Sequence, residues 1–200
     1  MNSRIILASS SPRRIEMLKK NGIEPVIMPA DVKETLPYKM SMGQAVMFLA
    51  LKKALYVEKL LLREPLDKEA PAVIIAADTI VYKDGMIGKP ENVEDAVSIL
   101  TRLKNTYHFV ATGVALVRPG AQKRSLFYDQ TQVFFRDYSD EEIKEYLETD
   151  EPWDKAGAYA IQGTWGKYVT RVIGDQDNVI GFPWLRIKTE LLRHWPEIQI

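Results

Sequence analysis

Residues 4 to 14 read Arg-Ile-Ile-Leu-Ala-Ser-Ser-Ser-Pro-Arg-Arg, an apolar run that passes into a helix start across three hydroxyl residues. Ile5 to Ala8 predict a short buried strand, Ser11 falls at an N-cap position, and Pro12 opens the helix where its missing N–H costs nothing. A helix therefore begins at the tip of a strand. Its free backbone N–H groups and the positive end of its dipole face whatever lies beyond that tip, and Arg13 and Arg14 add fixed positive charge. The pattern suits an anionic ligand such as phosphate, held by Ser9, Ser11 and the two arginines, although strand, serine and surface arginines also occur together with no ligand.

The 200 residues suit one domain with two lobes around a cleft and can bury roughly 70% of the unfolded surface. With no cysteine, disulfides and thiolate chemistry are excluded, and with His108 and His194 as the two histidines the composition argues against a zinc site. Lys+Arg and Asp+Glu are both 27, a formal net charge of 0, which argues against nucleic acid or a membrane surface as partner. No stretch approaches the roughly 18 apolar residues of a membrane span, and the chain turns polar after Leu7, unlike a signal peptide. A cytoplasmic protein is the expectation.

Hydrophobic period and capping signals predict helices from Pro12 to Asn21, from Ser41-Met42-Gly43-Gln44 to just before Pro65, from Asn92 to Lys104, from Ser139 through Leu147, and from Leu185 to Trp195. Strands are expected around Pro25 to Met28, Ala72 to Ala77, Tyr107 to Val117, Ser125 to Phe135 and Tyr168 to Ile173. Ile80 to Tyr82 and Met86-Ile87 form a hairpin about Asp84-Gly85. Gly157 to Gly166 reads as an ordered loop, and the acidic tract from Asp140 to Glu151 as a solvated face. The class is α/β, with a mixed, twisted central sheet flanked by helices.

Asp78 ends the apolar run of Ala72 to Ala77, where open α/β sheets place their ligands, and could serve as a metal ligand or as a base for water. Spacing alone leaves Glu34 a solvent-exposed loop carboxylate and Lys53 a solvated helix lysine. Lys89, confined between Gly88 and Pro90, could neutralise a phosphate. Gln162, between small residues at a loop tip, could read a base edge or bond to its own loop. His108 and His194 read as packing or surface residues.

Together, ILASSSPRR at 6 to 14, AADTIV at 76 to 81, GKP at 88 to 90, EPWDKAGAYAIQG at 151 to 163 and NVIGFP at 178 to 183 resemble the Maf family of nucleoside triphosphate pyrophosphatases. The resemblance covers residues 1–200 as a single domain. It implies a fold similar to the inosine triphosphate pyrophosphatases, a homodimer in the cytoplasm, a divalent cation (Mg²⁺ or Mn²⁺), and cleavage between the α and β phosphates. On the matching positions, Asp78 takes the family role of proton acceptor and Arg13, Thr79 and Gln162 those of substrate selection. Glu34, Lys53 and Lys89 fall around metal and phosphates. SPRR, ADT and IQG resemble the branch acting on dTTP and UTP, with modified pyrimidine nucleotides as further candidates, whereas the 7-methyl-GTP branch reads SPWR, SDQ and SEG. The alternatives are a non-hydrolysing nucleotide sensor linked to septum formation, or a pyrophosphatase for 7-methyl-GTP or damaged purines. Trp165, following the Ile-Gln-Gly, departs from the family pattern at the loop expected to shape the base pocket.

Overall fold

The computed structural model describes residues 4–63, 72–198 and 200. Seven strands, β1 (Arg4–Leu7), β2 (Val26–Ile27), β3 (Ala72–Tyr82), β4 (Met86–Ile87), β5 (Tyr107–Val117), β6 (Arg124–Phe135) and β7 (Val169–Ile173), form one mixed sheet. Their order is β2-β1-β3-β5-β6-β7, with β4 paired to β3. The helices are α1 (Pro12–Lys20), α2 (Met42–Arg63), α3 (Val93–Leu103), α4 (Asp140–Leu147), α5 (Gln176–Ile180) and α6 (Trp184–His194). The mixed α/β architecture is the one the sequence pattern implies.

The chain packs as two compact units, one of residues 1–78, 112–129 and 181–200, the other of residues 79–111 and 130–180. In the first, β1 runs parallel to β2 and β3, with Leu7 opposite Ile75 as its last pair. The stripe Ala50, Ala54, Val57 and Leu61 of α2 is buried against Ile6, Ile74, Ala76, Ala115 and Val117, and its small side chains let the helix lie close. α2 opens on a reciprocal capping box, Ser41 N–H donating to Gln44 Oε1 (3.0 Å) and Gln44 N–H to Ser41 Oγ (3.4 Å). It is described through Arg63, and Pro65, expected just beyond its end, lies outside the described residues.

In the second unit, α3 and α4 bury Leu100, Leu103, Ile143 and Tyr146 with Val133, Phe135, Trp165 and Tyr168. Asn92 and Ser139 cap these helices as their sequences predict, Ser139 with Glu142 in a full capping box. Trp165 is a core residue, 2% exposed and stacked on Tyr146 at 4.4 Å, so this departure from the family pattern fills the core.

The structure adds to or departs from the sequence reading at four places. β3 does not stop at Ala77 but runs on through Asp78 and Thr79 to Tyr82, because buried Asp78 is neutralised by a distant lysine rather than by water. Ser11 stands at the N-cap of α1 without a capping bond from its hydroxyl. The 157 to 166 loop is bracketed by two 3-10 turns, Ala156–Ala158 and Thr164–Tyr168. The short helix α5 carries no periodic pattern to reveal it.

Candidate active site

β1 ends as Ala8 N–H donates to the Ile75 carbonyl (2.9 Å), and the three serines turn the chain into α1. Ser9 Oγ accepts from Ser11 N–H (3.2 Å) and from Arg14 Nη1 (3.2 Å), which fixes the turn. Among the described residues the backbone N–H groups of Ser10 and Arg13 make no hydrogen bond within the protein, so they remain as donors at the helix start.

The adjacent arginines, alike as fixed positive charges at the helix start, differ in use. Arg13 is half-buried and makes no hydrogen bond or ion pair among the described residues. Arg14 turns inward: Nε donates to the Gly181 carbonyl at 3.0 Å and Nη1 to the Ala77 carbonyl at 2.8 Å. Burial lowers the Arg14 pKa from its ordinary value, and the Asp78 carboxylate opposes that shift.

Asp78 lies three residues beyond Ile75, past the last pair of β1 with β3, on the face covered by α2. It is 6% exposed. Lys53 Nζ, from α2, sits 2.5 Å from Asp78 Oδ1 and 2.7 Å from Glu34 Oε1. The loop bearing Glu34 is tied to α2 by the neighbouring lysine, whose Nζ donates to the Lys33 carbonyl at 2.6 Å. Burial pushes the Asp78 carboxyl above the usual range against the pull of Lys53, and Glu34 pushes the same way. A carboxylate so placed holds a proton more readily than one in water, the direction that strengthens a base. Glu34, exposed on its loop, is no bystander: one ammonium joins it to Asp78.

The remaining predicted positions belong to the second unit. Thr79, half-buried, follows Asp78 directly along β3. Lys89 is exposed and makes no ion pair among the described residues, while the carbonyl of the preceding Gly88 accepts from Gly157 N–H at 2.9 Å. The GKP segment is thereby bonded to the stretch leading to Gln162. Gly157 has φ of +77°, and a Cβ there would fall 2.8 Å from Val81 Cγ2, so both conformation and space require glycine.

Gln162 is exposed, with no hydrogen bond from its amide among the described residues. Beside it stands a residue the sequence reading passed over, Glu151, whose carboxylate accepts from Thr164 N–H (3.1 Å), Thr164 Oγ1 (3.0 Å) and Tyr146 OH (3.0 Å). A Cβ at Gly163 would lie 1.9 Å from Glu151 Oε1, so the glycine after Gln162 makes room for this carboxylate. That glycine was the available signal, hidden because Glu151 closes an acidic tract.

Residues 4–194 match the family model described as Maf-like protein. The chain is 42% identical over 189 residues to the dTTP/UTP pyrophosphatase of Caldicellulosiruptor bescii, covering 94% of this chain and 93% of that one. It is 42% identical to the enzyme of the same name from a Geobacillus species (94% and 97% covered). With that from Dictyoglomus turgidum the identity is 43% (96% and 97% covered).

Proposed function

The chain belongs to the Maf family, and on that premise we propose that it hydrolyses dTTP and UTP to the monophosphate and pyrophosphate. Modified pyrimidine nucleotides extend the same substrate class. The observation that carries the reading is the linked set of Asp78, Lys53 and Glu34 in the unit that also holds the Ser9 to Arg14 turn. A protein that only bound triphosphate would gain nothing from a buried anion kept among these cations.

In this mechanism water attacks the α-phosphorus in line, its proton passes to Asp78 Oδ, and the bond from the α-phosphorus to the α–β bridging oxygen breaks as pyrophosphate leaves. The N–H groups of Ser10 and Arg13, the hydroxyls of Ser9 and Ser11, and the charges of Arg13 and Lys89 bind phosphate oxygens. Lys53 holds Asp78 and Glu34 in place and offsets charge on the phosphates. Gln162 donates to a carbonyl and accepts from the N3–H of uracil or thymine, with Arg13 and Thr79 sharing in selection.

Asp78 and Glu34 fit a Mg²⁺ or Mn²⁺ ion, since both are hard oxygen donors and such ions commonly take one or two carboxylates with substrate phosphates and water. Among the described residues no group of three or more His, Cys, Asp or Glu could hold a metal, so substrate would complete this coordination. The ion would supply neutralisation of charge on the phosphates. The family resemblance extends the proposal to a homodimer working in the cytoplasm; among the described residues no helix is long and apolar enough to cross a membrane.

The test is a panel of canonical and modified triphosphates with Mg²⁺ or Mn²⁺, read as pyrophosphate released. Release from dTTP and UTP is expected. Release from purines alone rejects the pyrimidine assignment, and release from none overturns the hydrolase reading in favour of a non-hydrolysing nucleotide binder.

A further inference from the structure

The parallel ladder between β1 and β3 ends abruptly. Ala8 N–H takes the Ile75 carbonyl, and the next carbonyl on that side, Ala77, would be taken by a continuing β1; instead the chain turns away at Ser9. Arg14 Nη1 occupies the vacated place at 2.8 Å from the Ala77 oxygen. The same nitrogen donates to Ser9 Oγ and Nε to the Gly181 carbonyl. One planar guanidinium thus joins the serine turn, the residue before Asp78 and the segment entering α6, three places remote in sequence. A buried carbonyl left unpaired is costly, so the Nε and Nη1 donors cannot turn to a phosphate without breaking this frame.

We infer that Arg14 is a positioning residue, whose Nε and Nη1 hold Asp78 and the Ser9 turn in register, and that its weight in the reaction lies there rather than in binding the substrate's phosphates. The inference rests on reading this unit as the reaction site and revises the expectation that both arginines serve alike in holding phosphate. Arg14→Lys keeps the charge but loses the fork, since an ammonium cannot span the three acceptors in their plane.

The experiment compares Arg14→Gln, Arg14→Lys and Arg13→Gln in the full chain, with kcat and KM for dTTP and the Kd of its non-hydrolysable α,β-imido analogue. Both Arg14 variants are expected to lose about 100-fold in kcat, the scale of a misplacement near 1 Å, with KM and Kd within about threefold. Arg13→Gln is expected to raise KM and Kd about tenfold, as loss of a charged contact does. A tenfold rise in KM and Kd for Arg14→Gln with kcat retained, or full activity of Arg14→Lys, overturns the inference. In the unaltered protein, the ¹⁵N resonance of Arg14 Nε–H should be protected from exchange without nucleotide and unmoved by the analogue. A shift on binding, or fast exchange beforehand, overturns it too. This last measurement decides the matter even if the variants do not fold or the protein proves to bind nucleotide without hydrolysis, a result that would defeat the proposed function alone.

Discussion

Replacing Gly113 by alanine tests whether the approach of α2 to the sheet sets the geometry at Asp78. Gly113 lies in β5, and the Cβ it lacks would fall 2.3 Å from both the carbonyl carbon and oxygen of Val46 and 2.6 Å from Met47 N. Ordinary contact needs roughly 3.4 Å, so a gap of about 1 Å must open, and only backbone lines it. No side chain can swing aside. Overpacking costs about 1–3 kcal/mol, and the absence of a flexible neighbour puts this case near the upper end. Alanine returns about 0.5–1 kcal/mol through its smaller loss of backbone freedom. The net of about 2 kcal/mol corresponds to a fall in Tm of roughly 4–8 °C for a chain of this size.

The displacement should reach the site, because Lys53 stands two helical turns after Val46 on the same helix. Moving α2 outward by about 1 Å stretches the 2.5 Å contact of Lys53 with Asp78, and misplacement on this scale costs about 100-fold in rate. Urea melts and pyrophosphate release measured on one preparation check both effects. Gly43→Ala is the control: its Cβ would meet the ring of Tyr128 at 2.7 Å, but that ring ends a side chain 38% exposed and can turn away. It should cost less than about 1 kcal/mol and leave the rate alone. Equal stability of Gly113→Ala and the parent, or equal losses from both alanines, would refute the reasoning.

Asp78→Asn should lower turnover by about 10³-fold while nucleotide still binds. Because burial disfavours the charged carboxyl, its Tm should stay level or rise; a Tm far below the parent would contradict that account. His108, fully buried with Nε2 2.7 Å from Tyr159 OH, has its pKa pushed by burial from 6.5 down to about 3. The fold favours the neutral ring, so this stabilisation is complete above pH 6.5 and is lost as pH falls toward 3, by up to about 5 kcal/mol. Denaturant melts of the parent should steepen with falling pH over that window and those of His108→Phe should not; parallel profiles exclude His108 as the cause. Glu151→Gln gives up an acceptor oxygen beside Thr164 and should change the ratio of kcat/KM for UTP over ATP, whereas an equal loss on both would leave Glu151 a purely structural clamp.

What the sequence discloses follows the range over which each feature is stabilised. The caps at Ser41, Asn92 and Ser139 are legible because donor and acceptor lie three residues apart, and the stripe on α2 because it repeats within one helix. Asp78 within a strand is not legible: an aspartate normally marks a strand's end, and here strand continuation depends on a lysine 25 residues earlier. Arg14 is further still, since its acceptors at Ala77 and Gly181 are backbone oxygens that any residue type would supply. Motif reading therefore finds the residues with distinctive chemistry, but it cannot divide them between those that touch substrate and those that hold the others still. That division between Arg13 and Arg14 comes from the Ala77 carbonyl, a group with no letter of its own in the sequence.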